Sequence, residues 1–474
     1  MAFMEVGVTD SQGINRRTLC KWSGLAAAAL TGGLSTPGSL AATGQNSQER
    51  VHWLIRNACI LSMDPALGDI AKGDVLIRNG EIVQVGKIEQ APGAQVIDAA
   101  GMILIPGLVD AHWHMWNSLA RNRAPSAGEP MFKTMANLSS RFTAQLSWLG
   151  VRQSLALAIN SGITTANNWA HNIRDPKFAD AEWLAMQQSG LRGRLWYGYA
   201  QDAGATQRMD FNDIERMQRN LEKTPGSLID LGMALRGPER TEAPIWEEEW
   251  AFARQHKLPV STHISVTAKA QEKKAIQQLA QRQLLGPDVQ LVHATHVDQE
   301  DLQTLAASKA TVSLTPLTEM RVGYGLPPVM ALHEAGIPLS LGIDTLILAG
   351  NANPFQVMQT TLNLATGMAG NEMALTARDV LYWATQGGAN EMGLGALTGS
   401  ITPGKRADLT LIDANRLDLL PMIDPVATVV QSTSAADVNL VIADGKVLKR
   451  DGKLTGYDSQ QLAREIEQGW QAQS

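Results

Sequence analysis

Two histidines separated by a single residue, His112 and His114, follow a short apolar run at Met102–Ile105 and its continuation at Leu108–Ala111. The apolar run is typical of a buried strand. In a strand, residues i and i+2 point to the same face, so the two imidazoles converge just beyond the strand's carboxyl end. Two convergent neutral imidazoles make up half of a zinc or iron site. The pattern therefore predicts a metal centre rather than a chance pair of surface histidines.

Polar residues follow several later apolar runs in the same way. His171, His263 and His293 lie at or just after such runs, and His296 lies three residues past one. Asp344 ends another apolar run, where an unpaired carboxylate would be costly. Taken singly, each has an ordinary interpretation as a loop cap or a satisfied core histidine, but their joint placement favours one site. A carboxylate beside histidine ligands can serve as a metal ligand or as a general base for a bound water.

The elements that must position these residues lie in the central region, 106–395, where apolar or β-rich runs alternate with helix-like stretches. One run precedes His112. The others are 162–166, 193–199, 229–235, 259–263, 289–293, 311–315 and 338–344. Eight alternating βα units predict a (β/α)8 (TIM) barrel of the α/β class, with its active site at the carboxyl ends of the strands.

Both ends of the chain carry shorter strands and tight turns. Asn79-Gly80 separates two predicted strands near the N-terminus, and Asp444-Gly445 does the same near the C-terminus. This arrangement predicts one small β-sandwich domain built from residues 49–105 and 396–455. A C-terminal helix is expected over 456–474.

The net charge and the cysteine count limit the kinds of partner and of metal site that are expected. The net charge is −6 and the isoelectric point is about 5.9, so neither nucleic acid nor an anionic membrane is indicated. A small-molecule substrate is expected instead. The chain has two cysteines, Cys20 and Cys59, which excludes a disulfide framework and a cysteine-based zinc site.

Residues 1–48 are typical of a targeting segment and linker rather than of a folded domain. Asn15–Lys21 contains a twin arginine and resembles a twin-arginine export signal. The apolar stretch Trp22–Leu30 is too short to span a bilayer, and Ser39–Ala41 is an acceptable cleavage site. The segment predicts a periplasmic or secreted protein. The alternative is an unstructured tail with chance arginines.

From about residue 50 to 455 the chain resembles the amidohydrolase superfamily, in the group that contains cytosine deaminase and triazine hydrolases of the atrazine chlorohydrolase type. The segments that carry the resemblance are Pro106–His114, Gly162–Thr165, Val292–Asp298, Ser340–Asp344 and Gly399–Leu409. The resemblance implies a metal-dependent hydrolase with the split β domain already described. It also implies a dimer or a larger homo-oligomer.

Carried over position by position, the resemblance makes His112, His114, His263 and Asp344 the metal ligands. It places His293 beside the metal, where the side chain polarises the substrate or orients the water. The predicted catalytic residues are therefore Asp344, as the base, and His293.

The number of metals follows from the fourth predicted strand. Two-metal members of the family usually carry a carboxylated lysine at its end, but Leu231–Gly237 contains no lysine and ends in Arg236-Gly237. Arg236 would repel a second cation. One divalent metal is therefore expected, namely Zn²⁺, with Fe²⁺ or Mn²⁺ as alternatives because the ligand set suits all three.

One departure from the family pattern concerns the reaction. Deaminase-like members place a glutamate three residues after the histidine of the fifth strand, and here that position is Val266, which cannot transfer a proton. The first hypothesis is therefore hydrolysis of an amide, carbamate or cyclic amide C–N bond. The second is hydrolytic deamination or dechlorination of a heteroaromatic ring. The third is a non-catalytic metal-dependent binding protein.

Aromatic and polar residues near the predicted strand ends are candidates for substrate contact. As a group the aromatic residues favour an aromatic or heterocyclic substrate, although each alone is explained by ordinary packing, and each charged residue by a surface ion pair. The candidates are Trp113, Trp116, Trp169, His171, Arg236, His296, Glu319 and Tyr324.

Overall fold

The β-rich chain ends and the central region form two separate sheets in the computed structural model, which describes residues 51–123 and 129–471. The export signal predicted over 1–48 lies outside the described residues. Among those described, no helix combines the length and the apolar character needed to cross a bilayer.

The sheet formed by the chain ends has nine strands from both termini. β1 uses one edge for β2 and shares its other edge between β4 and β5, and β5 pairs with β14 from the C-terminal part. Apolar residues of these strands enclose a core of their own, separate from that of the barrel. The strands are β1 (Trp53–Leu61), β2 (Asp69–Arg78), β3 (Glu81–Gly86), β4 (Gln95–Asp98), β5 (Met102–Pro106), β14 (Leu409–Asp413), β15 (Val438–Ala443), β16 (Lys446–Arg450) and β17 (Lys453–Leu454).

The second sheet contains eight parallel strands in the sequential order of the chain. They are β6 (Leu108–Trp113), β7 (Ile163–Ala170), β8 (Arg192–Tyr197), β9 (Ile229–Leu235), β10 (Val260–Ile264), β11 (Val289–His293), β12 (Thr311–Leu314) and β13 (Leu339–Leu341). Nearly every residue of these strands is buried, as expected for parallel strands covered on both faces. The predicted (β/α)8 barrel and the separate β domain built from both chain ends are confirmed.

Helices connect the strands of the barrel. Several begin at side-chain caps that the sequence supplies, such as Asp175 before Pro176 and Asp298 in a capping box with Asp301. The α-helices are α1 (Met131–Ser139), α2 (Ala144–Asn160), α3 (Pro176–Ser189), α4 (Phe211–Glu222), α5 (Gly237–Arg240), α6 (Ala243–Gln255), α7 (Ala268–Gln271), α8 (Ala275–Gln281), α9 (Gln299–Ser308), α10 (Pro316–Val322), α11 (Val329–Glu334), α12 (Leu346–Ala349), α13 (Pro354–Ala369), α14 (Ala377–Tyr382), α15 (Gly388–Glu391), α16 (Pro425–Ala427) and α17 (Ser459–Gln471).

The barrel closes between its first and last strands through backbone atoms next to the predicted metal ligands. The amide of Asp344 donates to the carbonyl of His112 over 2.8 Å, and the amide of His114 donates to the carbonyl of Asp344 over 2.6 Å. A third bond runs from the amide of Ile343 to Oδ2 of the buried Asp110, over 2.9 Å. Closure therefore fixes the backbone of three predicted ligands with respect to one another.

Gly342 marks the point of closest approach in this closure. A Cβ atom there would lie 2.7 Å from the carbonyl oxygen of His112 and 2.9 Å from its amide nitrogen. We expect Gly342→Ala to lower the free energy of unfolding by about 1–3 kcal/mol, because backbone atoms cannot move aside as a flexible side chain can. Chemical denaturation measures this loss.

Gly367→Ala is the matched control, because Gly367 is an exposed helical glycine with no neighbouring atom within 4 Å of the added carbon. We expect this variant to be neutral or slightly stabilised. Equal stability of Gly342→Ala and the wild-type protein would contradict the close packing proposed for barrel closure.

Candidate metal centre

Three histidine side chains converge at the carboxyl end of the barrel. His112 and His114 come from the end of β6, and His263 comes from β10 on the far side. The Nε2 atoms of the three rings lie 3.2 Å from one another in all three pairings. All three side chains are buried, and the predicted pair therefore gains a third nitrogen from a distant strand.

The donor set fits one divalent metal ion. Three ligands of a tetrahedral zinc site, each about 2.0–2.1 Å from the metal, are separated by about 3.3–3.4 Å, close to the spacing of these nitrogens. Burial lowers the pKa of His112, His114 and His263, which keeps the rings neutral and their lone pairs free to bind a metal. His114 Nδ1 lies 3.2 Å from the carbonyl oxygen of Trp169, a contact that orients the ring and leaves Nε2 as the ligand atom.

Asp344 adds a carboxylate beside this histidine cluster. Its Oδ1 atom lies 3.3 Å from Nε2 of His114 and 3.6 Å from Nε2 of His112. Burial alone would raise the pKa of Asp344, but the hydrogen bond with His112 and the electrostatic interaction with the surrounding imidazoles hold it below its ordinary value. The carboxylate is therefore ionised, as a ligand or a base must be. Its backbone has φ of 65°, a conformation that non-glycine residues adopt mainly where tertiary structure enforces it.

His293 stands on the other side of Asp344. Its Nε2 atom lies 3.9 Å from Oδ2 of Asp344, and its Nδ1 atom lies 3.1 Å from Oε1 of Glu319. The same Glu319 oxygen accepts a hydrogen bond from the amide of Thr315 over 2.9 Å. Because this oxygen is an acceptor, Nδ1 of His293 carries a proton and Nε2 faces the carboxylate of Asp344.

Glu319 was predicted to contact the substrate. The structure places it behind His293, with no exposed surface, and it does not line the cavity above the histidine cluster. Glu319 follows β12, which pairs with β11, the strand that ends in His293, and this explains the contact between the two side chains. The direction of the Glu319 side chain could not be predicted from the sequence.

His171 lies at the end of β7 with its ring 4.0 Å from that of His114. Nε1 of Trp116 donates to Nδ1 of His171 over 3.1 Å. Burial lowers the pKa of His171 to about 3, so the ring is neutral and its proton lies on Nε2. His171 therefore presents a hydrogen-bond donor in the wall of the cavity, while Trp116 holds it from behind.

The other two predicted tryptophans also support the site from behind. Trp169 donates from Nε1 to Oγ of Ser261 over 2.9 Å, and its ring packs edge-on against His263 at 4.3 Å. Trp113 is fully buried and pairs with Asp344 where the barrel closes. Neither residue lines the cavity.

The cavity above the histidine cluster has a volume of about 170 Å³. Tyr324 lines it as predicted, with Phe132 stacked at 6.3 Å. His296 instead lies 2.7 Å from the carbonyl oxygen of Tyr324 and so holds the loop that carries this residue. Sequence reasoning missed several lining residues, because they follow strands without a recognisable motif or lie on α1: Asn117, Met131, Phe132, Met135, Tyr199, Arg240 and Thr318.

Arg236 occupies the end of β9, where two-metal members carry lysine. It lines the cavity, but its guanidinium donates to the carbonyls of Ala203 over 3.1 Å, of Gly204 over 2.7 Å and of Gln207. The side chain also lies over the ring of Tyr199 at 4.7 Å. Its hydrogen bonds therefore hold the loop after β8.

The position expected to carry a deaminase-type glutamate is filled by a buried valine, Val266, just after β10. Among the described residues that line the cavity, Asp344 is the sole carboxylate. Asp344 and the histidines around it are therefore the candidates for proton transfer at this site.

Comparisons with known proteins agree with this geometry. A family model described as "Amidohydrolase family" matches residues 103–448. A 5'-deoxyadenosine deaminase of Methanosarcina mazei is 29% identical over 430 residues, covering 87% of this chain and 96% of that protein. A 5-methylthioadenosine/S-adenosylhomocysteine deaminase of Desulforamulus reducens is 26% identical over 428 residues, covering 87% and 97%.

Solved structures share the fold. A zinc-bound adenosine deaminase of Xanthomonas campestris superimposes with a TM-score of 0.81 at 22% identity, covering 90% of this chain and 99% of that one. An atrazine chlorohydrolase of Arthrobacter aurescens complexed with zinc has a TM-score of 0.77 at 20% identity, covering 88% and 99%. The resemblance predicted from the motifs is confirmed, and the chain belongs to the amidohydrolase family of hydrolases.

Proposed function

We propose that this enzyme uses one divalent metal ion to hydrolyse a non-peptide C–N bond in a small aromatic or heterocyclic molecule. The observation that carries the proposal is the convergence of three neutral imidazole nitrogens with an ionised carboxylate on the floor of a cavity. The donor set favours Zn²⁺, with Fe²⁺ and Mn²⁺ as alternatives. Arg236, in place of a bridging lysine, favours a single ion.

The proposal assigns metal binding to four residues and proton transfer to one of them, Asp344. His112, His114, His263 and Asp344 would hold the metal, which when bound acts as a Lewis acid and lowers the pKa of water. Asp344 has a second oxygen, Oδ2, directed toward His293, and this oxygen accepts the proton of the attacking water. The same carboxylate then returns the proton to the leaving nitrogen.

His293 and His171 act on the substrate side. His293 is fixed by Glu319, so its Nε2 orients the water or the polarised oxygen of the substrate beside Asp344. His171 offers its Nε2–H to a substrate acceptor from the wall of the cavity. Preorganised groups of this kind stabilise charge that develops during the reaction.

The cavity limits the size of the substrate. Typical ligand pockets hold about 300–1,000 Å³, and this one holds about 170 Å³. A single ring with a short substituent suits this volume, flanked by Phe132 and Tyr324. Val266 favours amide, carbamate or cyclic amide bonds, whose cleavage does not need a separate carboxylic acid to protonate a ring nitrogen.

The second candidate function is hydrolytic deamination of a heteroaromatic ring. It is favoured by the deaminases that are similar over most of the chain. It is opposed by Val266, which leaves the cavity without the second carboxylate of deaminase-type members. Release of ammonia from 5'-deoxyadenosine at a rate above that from amides would favour this candidate.

Metal content tests the proposed centre. We expect about one metal ion per wild-type chain by inductively coupled plasma mass spectrometry, and less than about one tenth of that in His263→Ala, because a two-histidine remnant binds weakly. His263→Ala should also lose C–N hydrolysis by at least about a hundredfold in a panel that follows ammonia, amine and chloride release. Two metals per chain would contradict the single-ion site.

His256→Ala is the matched control, since His256 lies at the end of α6 beside Gln218, away from the cavity. It should keep both metal and activity. A wild-type protein that contains no metal, with chelator-resistant activity, would overturn the proposal.

Substitution of Glu319 tests its role behind His293. We expect Glu319→Ala to lower kcat by about 10- to 100-fold with little change in KM or metal content, because the residue orients a catalytic ring without lining the cavity. Glu319→Gln keeps an acceptor oxygen and should retain more activity than Glu319→Ala. A raised KM with unchanged kcat would show instead that Glu319 contacts the substrate.

We propose in addition that residues 1–48 direct export to the periplasm or beyond, on the basis of the twin arginine at Arg16 and Arg17. Replacing both with lysine keeps the charge but removes the motif. Cell fractionation should then find the protein retained in the cytoplasm, whereas Arg50→Lys should be exported normally. Unchanged export of the double variant would contradict the proposal.

A homo-oligomer is also proposed. The loop after β14 exposes large apolar side chains, with Leu417 at 92% and Ile423 at 87%, and such surface is typical of contacts between subunits. Light scattering of the purified protein measures the mass directly, and a mass of 51.1 kDa would show a monomer.

A further inference from the structure

Two arginines line the cavity, and their surroundings differ. Arg236 holds a loop through its terminal nitrogens, as described above, and lies 3.9 Å from the carboxylate of Glu249. Arg240, the last residue of α5, is partly buried in the same wall. Its polar neighbours in the cavity are the hydroxyl groups of Tyr199 and Tyr324.

These tyrosines do not neutralise the guanidinium. Burial raises the pKa of Tyr324 to about 12 and also raises the pKa of Tyr199, so both hydroxyls stay protonated and uncharged. Glu239, next along the chain, is engaged by the amide of Ser265 over 2.6 Å. In the part of the chain that the structure describes, Arg240 makes no ion pair with a carboxylate within 4.0 Å, although the charge of the more distant Glu239 helps to raise its pKa.

A second observation points to a ligand in the same cavity. Thr318, on α10, lines the cavity and is only 2% exposed, yet its Oγ1 atom has no hydrogen-bond partner. Buried polar atoms are normally paired. An unpaired hydroxyl and a guanidinium without a direct ion pair in one small cavity indicate that a polar, negatively charged ligand completes their bonding.

Asp344 does not balance this charge, because its carboxylate is directed at His112 and His114. The cavity wall therefore carries an arginine whose charge no lining residue offsets. A partly desolvated guanidinium is strongly stabilised by a planar carboxylate that accepts two of its hydrogen bonds.

We propose that Arg240 anchors a carboxylate group of the substrate, so that the enzyme acts on small aromatic or heterocyclic acids. The reaction itself rests on the function proposed above, and the anchor is an additional specificity determinant. The cavity volume of about 170 Å³ suits one ring bearing a carboxylate, with the ring between the aromatic side chains and the hydrolysable bond toward the metal centre.

A matched pair of probes tests this anchor without requiring turnover. Nicotinate and nicotinamide have the same ring and similar size and differ in charge. Isothermal titration calorimetry on the metal-loaded enzyme should show nicotinate binding at least about tenfold more tightly, because hydrogen bonds to a charged group contribute more than neutral ones. Equal affinity for the two probes would overturn the proposal.

Three variants locate the carboxylate. In Arg240→Gln the preference for nicotinate should disappear, while affinity for nicotinamide stays within about twofold. Arg240→Lys keeps the charge but loses the planar fork, so it should retain only part of the preference. If Arg240→Gln does not fold, the partial preference for nicotinate in Arg240→Lys tests the anchor in its place. Arg208→Gln, a control at an exposed arginine paired with Glu248, should bind both probes as the wild type does.

A carboxylate ligand can also bind at the metal centre, and the same experiment distinguishes binding at the metal from binding at Arg240. A preference that persists in Arg240→Gln but is lost in His263→Ala would assign the carboxylate to the metal and overturn the anchor. Because the readout is binding, absence of C–N hydrolysis in the substrate panel would remove the proposed reaction and leave the anchor standing.

Discussion

The backbone hydrogen bonds between Asp344 and the His112–His114 segment are the constraint on which the rest of the site depends. They join the first and last strands, so the barrel cannot close without bringing the carboxylate to the two histidines. Because these bonds use main-chain atoms, the side chains of all three residues remain free to meet at the candidate metal centre. Gly342 packs so closely against the backbone of His112 that no side chain fits between them. Closure of the barrel therefore positions three of the four proposed metal ligands.

Closure also sets the electrostatics of the site. Burial removes water from the histidine cluster and favours neutral rings, whereas the neighbouring imidazoles keep Asp344 ionised despite its burial. His293 and Asp344 both adopt positive φ, at 76° and 65°, and face each other across 3.9 Å. Backbone strain of this kind persists only where the surrounding structure enforces it, and here it aims two side chains at the same point. For Asp344, the backbone pairing with Trp113 at the point of barrel closure supplies part of that enforcement.

The sequence was sufficient for the barrel, the split β domain and the family, because strand periodicity and strand-end histidines are local signals. It was also sufficient to place Tyr324 near the cavity. It was insufficient for Glu319, since the direction of a side chain past a strand end depends on the curvature of the loop. Trp113 was assigned to the substrate although it lies between His112 and His114 in β6, where strand alternation turns its side chain to the opposite face. Arg240 was missed for a similar reason, because it lies on a four-residue helix that carries no recognisable motif. The strand-end histidines and Asp344 were predictable, whereas most residues supplied by the following loops and short helices were not.

Val266 leaves the cavity with a single carboxylate for proton transfer. Where a glutamate is absent, the proton of the attacking water and the proton needed by the leaving group must use the same carboxylate, Asp344. Such a carboxylate can serve both steps if a single proton has to be moved from the water to the leaving nitrogen. Cleavage of an amide or carbamate needs this one transfer, whereas deamination of a ring also needs a proton on a ring nitrogen, for which the cavity offers no second carboxylate. Pairing of His293 with Glu319 then keeps the carboxylate's second oxygen facing a fixed partner through both transfers.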